Sequence, residues 1–279
     1  MKYIEIKYQL EKIKEIAENN KIGRSLLGEP VYSYHIGSYE GKQILLTGGI
    51  HAREYISSLF LIEELKYMIK EEIVGGIYFI PLLNPDGVRL VMDGVKFIQD
   101  EKLQRFLIDI NGGKLFNLWK ANANGVDLNV NFDAKWGGGV SNIQKLAREN
   151  FIGYYPNSEI ENLNIINYLK KIKINAHIAF HSKGEVIYYG FKKSDETLRQ
   201  ERELVKIVSS KNGYMPIVSR NSTGGLSDYI AQEYDIPSFT IELGADYLSH
   251  PISEIFLETI FSKNKEVPKA ILNYLNLRK

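Results

Sequence analysis

Cysteine is absent from the 279 residues. That excludes a disulfide framework and any thiolate metal site, so a bound metal has only His, Asp and Glu to hold it. Histidine is scarce, with five in all. Neither sign of charge is in excess: 35 Lys plus Arg face 34 Asp plus Glu. Nucleic acid and anionic membranes are bound through a surplus of cations, so this balance excludes both as partners held by bulk charge. Long hydrophobic runs are missing too, none approaching the roughly 20 residues that span a bilayer. The N-terminus, Met1 to Lys7, interrupts its apolar residues with charge and has no signal-peptide core, which leads us to expect a soluble, cytoplasmic protein. What is present is an ordinary globular composition, 44% apolar and 11% aromatic, with no Pro, Gly or Ser-rich linker to divide it.

The apolar pattern alternates between two periods. Ile6, Leu10, Ile13 and Ala17 share one helical face, predicting an N-terminal helical segment over residues 1–19 ahead of a main domain over 20–279. Val31 to Ile36 and Ile44 to Thr47 read as strands, the second apolar enough to lie inside a sheet. Leu59, Ile62, Leu65 and Ile69 form a second helical stripe, and Ile77 to Leu83 a third strand closed by Asn84-Pro85-Asp86-Gly87. The stretch from Asp100 to Gly139 reads as long loops and short helices. Ser158 and Glu161 have the form of a capping box for a helix through Leu169. Further strands are expected at Ile174 to Phe180, Val186 to Tyr189 and Ile236 to Leu243. Helices are expected from Lys193 to near Gly213, from Gly224-Gly225 through Tyr229, and over most of Ile252 to Leu277. Strand, helix, strand in repetition predicts a single α/β domain with a mixed, mostly parallel sheet flanked by helices.

With thiolates excluded, histidines near carboxylates at strand ends are the places to look for a metal. His51-Ala52-Arg53-Glu54 follows an apolar strand and a Gly-Gly pair, and a His and a Glu three apart face the same way on one turn. A hydrolytic zinc site takes three N/O ligands and leaves one position open. His181 closes the run Ile174 to Phe180 just before Ser182-Lys183-Gly184 turns the chain, and strand ends are where sites form in open α/β sheets. His177 shares the face of His181 by the period of two, but it lies inside the strand. His35, His177 and His250 are therefore read as core or surface histidines.

These residues do not stand alone. Gly48-Gly49-Ile50-His51-Ala52-Arg53-Glu54, Asn84-Pro85-Asp86-Gly87, Gly125-Val126-Asp127-Leu128-Asn129, His181-Ser182 and Thr240-Ile241-Glu242-Leu243-Gly244 occur in the order and approximate spacing of the zinc carboxypeptidase family. From about residue 20 onward the chain resembles that family. Within it, Trp119-Lys120-Ala121-Asn122 leading to Asn129, and His181-Ser182-Lys183-Gly184-Glu185 leading into Ile187-Tyr188-Tyr189, are similar to the bacterial γ-D-glutamyl-meso-diaminopimelate peptidases. The resemblance implies an eight-stranded sheet and one zinc ion held by His51, Glu54 and His181. It also implies that Glu242 is the general base, that Asp127 orients a ligand histidine, and that Asn129 helps bind a substrate carboxylate. The implied partner is a peptide, and for this branch a murein stem peptide.

The chain departs from the family pattern at three places. Val130 stands where family members carry an arginine that grips the substrate carboxylate, and valine offers no donor. The stretch before Gly125, where the family's oxyanion arginine is expected, offers only Lys120 and Asn124. Arg220 stands where the family has a substrate-capping tyrosine, which predicts that it supplies the missing positive charge. Ser227 falls where the pocket for the residue after the cut is lined, and it leaves room and polarity there. The resulting expectation is a zinc peptidase acting on γ-D-glutamyl-meso-diaminopimelate bonds. The alternatives are a zinc carboxypeptidase of other specificity and a family member that binds peptide without turnover.

Overall fold

In a computed structural model, which describes residues 1–191 and 193–277, the chain opens with α1 (Tyr3–Lys14). It continues through β1 (Glu18–Arg24), β2 (Pro30–Gly37), β3 (Gln43–Thr47), α2 (Ile56–Met68), β4 (Gly76–Ile80), α3 (Pro85–Asp93) and α4 (Glu101–Asn111). A long irregular stretch leads to α5 (Ile160–Leu169), β5 (Ala176–His181), β6 (Val186–Tyr189), α6 (Asp195–Asn212), β7 (Met215–Val218), α7 (Leu226–Tyr234), β8 (Ser238–Glu242), α8 (Leu257–Asn264) and α9 (Val267–Leu277). The strands form one eight-stranded sheet in the order β1-β2-β4-β3-β5-β8-β6-β7. Its centre, β4-β3-β5-β8, is parallel, β6 pairs parallel with β7, and the remaining pairs are antiparallel. The mixed, mostly parallel α/β architecture expected from the pattern is therefore observed.

Side-chain alternation explains how helices cover both faces. Ile44 and Leu46 of β3, Ile77 and Phe79 of β4, Ile178 and Phe180 of β5 and Phe239 and Ile241 of β8 pack with α1, α2, α6, α8 and α9 in the larger core. Leu45, Tyr78 and Ile80 point the other way and meet α5 and α7. A strand covered on both faces must be apolar at every position, which is why β3 and β4 read as unbroken apolar runs. On this second face β5 and β8 are different. They carry His177 and His181, and Ser238, Thr240 and Glu242. The sheet thus turns polar on one face of two adjacent central strands.

Several local expectations need correction. β4 ends at Ile80, before Pro81, because a proline cannot donate to the ladder. Asn84-Pro85-Asp86-Gly87 is not a strand-closing turn but the start of α3: Asn84 Oδ1 accepts from Gly87 N, and Pro85 sits in the first turn. No capping box forms at Ser158, because Glu159 occupies the cap position and Ser158 donates to Glu159 instead. α7 runs on to Tyr234. None of the described helices is long and apolar enough to cross a membrane.

One core feature has a large effect on stability. Glu64 of α2 is fully buried, and neither of its carboxylate oxygens has a hydrogen-bond partner among the described residues. Burial, aided by nearby Glu266 and only partly offset by Lys265, pushes its carboxyl well above the ordinary range. The folded chain therefore holds this proton more tightly than the unfolded chain does. The group favours folding in acid, below the ordinary carboxylate range, and this contribution is lost as pH rises toward the folded-state value. Glu64→Gln is expected to stabilise the fold at pH 7–8 by about 1–3 kcal/mol, with the advantage shrinking in acid. Denaturant melts at two pH values check it.

Candidate metal centre

The centre is assembled at the C-terminal ends of three neighbouring parallel strands. β3 leaves the sheet through Gly49, which lies in the left-handed region at φ 60°, where a Cβ would sit 2.3 Å from Ser58 Oγ. Only glycine tolerates both conditions. The chain then turns at His51 into a single 3-10 turn, Ala52–Glu54, and its i, i+3 spacing aims His51 and Glu54 at one point. His181 is the last residue of β5. In the β5–β8 register it stands opposite Glu242, the last residue of β8.

The distances are those of a ligand set. His51 Nδ1 lies 2.9 Å from Glu54 Oε1. His181 Nδ1 lies 3.0 Å from His51 Nδ1 and 3.0 Å from Glu54 Oε2. Two imidazole nitrogens at that separation repel through their lone pairs unless a proton or a cation lies between them. A tetrahedral zinc with bonds of about 2.0–2.1 Å sets its ligand atoms roughly 3.3 Å apart. The triad therefore fits zinc in both donor chemistry and spacing, and it is the one such His/Asp/Glu group among the described residues. All three side chains are nearly excluded from solvent. Burial alone would raise the Glu54 carboxyl, but the two histidines override it and hold Glu54 well below its ordinary value.

Asp127 supports the triad from behind. Its Oδ1 is 3.3 Å from His51 Nε2, within ion-pair distance though not aligned as a hydrogen bond. Its Oδ1 also accepts from Asn129 N, and its Oδ2 from Asn150 N and from Lys120 Nζ at 2.9 Å. Although burial opposes ionisation, Lys120 and His51 keep the Asp127 carboxyl far below the normal range. Reciprocally, Asp127 outweighs burial and keeps Lys120 protonated.

In front of the triad lies a cleft of about 600 Å³. His51, His181, Glu242, Lys120, Asn129, Arg220 and Ser227 all line it, and so does Val130. Glu242 is half-buried. Burial, offset in part by His181 and reinforced by Glu54, pushes its carboxyl up to about 7. Asn129 Oδ1 is tied to Leu226 N, which leaves its amide nitrogen as the free donor. Arg220 is exposed at the rim. Asn124, by contrast, is not among the residues that line the cleft, and its Nδ2 donates to Glu159 Oε2 at 2.9 Å. Of the two cationic or amide candidates before Gly125, only Lys120 is brought to the site. His177 bridges Thr47 Oγ1 and Ser238 Oγ at 2.9 Å each, and burial, with a smaller contribution from His181, lowers it to about 3. It is a neutral core histidine. His35 likewise stacks on Tyr39 and meets Gln43.

The sequence reading missed Asn150, Ser238, Thr240 and Asp228, which also line the cleft. The last strand carried the signal for two of them, because Ser238, Thr240 and Glu242 alternate with Phe239 and Ile241.

A family model described as zinc carboxypeptidase (peptidase M14) matches residues 5–258, and the chain belongs to that family. Among characterised relatives, it is 32% identical over 263 residues to γ-D-glutamyl-L-diamino acid endopeptidase 1 of Lysinibacillus sphaericus. That match covers 88% of this chain and 65% of the relative, so the chain spans about two thirds of that protein's length. Among solved structures, the fold matches thrombin-activatable fibrinolysis inhibitor with a TM-score of 0.75 at 22% identity, covering 98% of this chain and 73% of that one. It also matches murein-tripeptide amidase MpaA of Escherichia coli O157 with a TM-score of 0.55 at 21% identity, covering 92% and 91%.

Proposed function

We propose that this chain is a zinc-dependent peptidase that hydrolyses γ-D-glutamyl-meso-diaminopimelate bonds of murein stem peptides. The observation that carries the proposal is the convergence of His51, Glu54 and His181 beside Glu242 on an open cleft. Bound zinc supplies Lewis-acid polarisation of the scissile carbonyl and acidifies water at the site. Glu242 takes a proton from the attacking water and returns it to the leaving amine as the C–N bond breaks, so that one water is consumed per bond cut. Asp127 holds His51 in the orientation that presents Nδ1. Lys120, which lines the cleft while pairing with Asp127, is the group assigned to steady the oxyanion that develops on the carbonyl oxygen. One such donor is typically worth about 10²–10³ in rate.

Substrate choice rests on what surrounds this machinery. Val130 removes the bidentate carboxylate grip, whereas Asn129 and Arg220 offer donors to a carboxylate placed further out along the cleft. The relative from Lysinibacillus is named for a γ-D-glutamyl-L-diamino acid bond, and the polar position at Ser227 supports a polar residue after the cut. The test is hydrolysis of L-Ala-γ-D-Glu-meso-diaminopimelate by purified protein of measured zinc content. Release of free diaminopimelate that stops with chelator and returns with zinc is the expected result. Zinc-loaded protein that leaves the tripeptide intact overturns the substrate assignment.

A further inference from the structure

Among the described residues lining the cleft, Asn150 is the one non-glycine with a left-handed backbone, at φ 63°. Glycine adopts that conformation at no steric cost, and asparagine tolerates it. The backbone bonds made here need no side chain: Asn150 N donates to Asp127 Oδ2 at 3.1 Å, and its carbonyl accepts from Ile143 N at 3.0 Å. The hydrogen bond that the side chain adds is Oδ1 accepting from Lys120 Nζ at 3.4 Å. A non-glycine kept in a sparsely populated conformation beside reacting groups points to a use for its side chain. Here that use concerns the ammonium assigned to the oxyanion. An ammonium carries three N–H donors. Asp127 Oδ2, 2.9 Å away, takes one and Asn150 Oδ1 a second, which leaves the third for the cleft that Lys120 lines. Lysine's stem is flexible, and with one acceptor alone the ammonium is free to settle wholly onto the Asp127 carboxylate. The segment carrying Asn150 is fastened to the base of that stem, because Lys120 N and Ala121 N both donate to Arg148 O at 3.0 Å.

We infer that Asn150 is a positioning residue: its amide oxygen, together with Asp127, fixes the Lys120 ammonium so that one N–H faces the scissile carbonyl. This assignment rests on the peptidase reading above, with Lys120 as the oxyanion donor, and deepens it by naming what holds that donor in place. A donor lowers the barrier most when it is already aimed at the charge that develops, so that nothing has to reorganise during reaction. Asn150 supplies that fixity without touching the substrate.

The test uses zinc-loaded full-length protein, the L-Ala-γ-D-Glu-meso-diaminopimelate tripeptide, and the variants Asn150→Gly, Asn150→Asp and Lys120→Met. Asn150→Gly keeps the backbone bonds, and its ease at positive φ offsets the freedom it adds to the unfolded chain, so its Tm is expected near wild type. Its kcat is expected to fall on the order of tenfold, part of the about 10²–10³ that one oxyanion donor is worth. KM should stay within about twofold. Asn150→Asp keeps an acceptor oxygen and tolerates the same backbone, and it should recover most of the loss. Added to Lys120→Met, Asn150→Gly should cost no more than about twofold, because an interaction already removed cannot be lost again. An equal loss in both backgrounds marks a merely structural asparagine and overturns the inference. So does Asn150→Gly with wild-type kcat, or with a raised KM alone. A second readout needs no turnover. The Lys120 ammonium signal in proton–nitrogen NMR spectra, identified by its loss in Lys120→Met, is expected to be sharp in wild type and broadened by solvent exchange in Asn150→Gly. An unchanged signal overturns the inference. If wild type leaves the tripeptide intact the substrate reading fails, and if Lys120→Met keeps wild-type kcat the oxyanion role fails. In either case the NMR signal still decides whether Asn150 holds Lys120.

Discussion

Replacing Glu242 by Gln is expected to lower kcat by about 10²–10⁴, with zinc content and KM near wild type. The substitution preserves shape and removes only the ability to accept and return a proton. Glu242 stands directly opposite His181 in the strand register, so it is held next to the ligand set without belonging to it. Neither Glu54 nor Asp228, among the described residues, is placed to take over the proposed proton transfer. Glu54 is enclosed by the two histidines and by Ser182 N. Asp228, the other carboxylate on the cleft, is fastened by one oxygen to the start of α7. A fall in kcat and kcat/KM together is the signature of an interaction needed in the transition state rather than in substrate binding. Steady-state kinetics paired with metal analysis checks it, and a Gln variant that retains a tenth of wild-type kcat places the base elsewhere.

The parts of this fold that were legible in the sequence are those where burial writes a period. β3 and β4 are covered on both faces and read as apolar runs, and α6 has a serine at its start and Gly213 at its end. Two strands were not foreseen: β1, Glu18-Asn19-Asn20-Lys21-Ile22-Gly23-Arg24, and β7, Met215-Pro216-Ile217-Val218. Both are the outer edges of the sheet. An edge strand has one free side and needs little apolar content, which hides β1, and in β7 a proline breaks a run of only four residues, so neither reads as a strand. The eight-strand count came from family resemblance for this reason.

The candidate site divides in the same way. Strand ends and turns place His51, Glu54, His181 and Glu242; the first three could be named from their positions after an apolar run, and Glu242 through the family resemblance. Asn124 was misjudged because proximity along the chain does not say which way a loop side chain points. Its amide satisfies the buried Glu159 together with Asn122, since a buried carboxylate left without donors is costly. Asp228 was hidden by the opposite error. Its fit to an N-terminal helical turn is a complete local explanation, and only the tertiary packing of α7 against β8 reveals the cavity in front of it.

Removing one ligand has the largest effect on the metal itself. His181→Ala leaves His51 and Glu54 as a two-point site at the end of β3, and zinc recovered with the purified protein is expected to fall from near one equivalent to background. Activity on the tripeptide should fall below detection with it. The same variant separates metal binding from catalysis through stability. Zinc bound only by the folded chain contributes RT ln(1 + [Zn]/Kd), about 4 kcal/mol at a thousandfold excess over Kd. For a chain of this size that is a rise in Tm on the order of 10 °C. Wild type and Glu242→Gln should both show this rise on zinc addition to metal-stripped protein, because Glu242 is not a ligand. His181→Ala should show little or none. Before metal is added, the alanine variant is expected to melt below stripped wild type. The mutation takes from the buried Glu54 carboxylate the imidazole that lies 3.0 Å from its Oε2, and a buried charge left with fewer partners costs stability. Differential scanning of the three proteins with and without zinc reads all of these outcomes. An equal zinc-induced rise in His181→Ala removes that histidine from the ligand set.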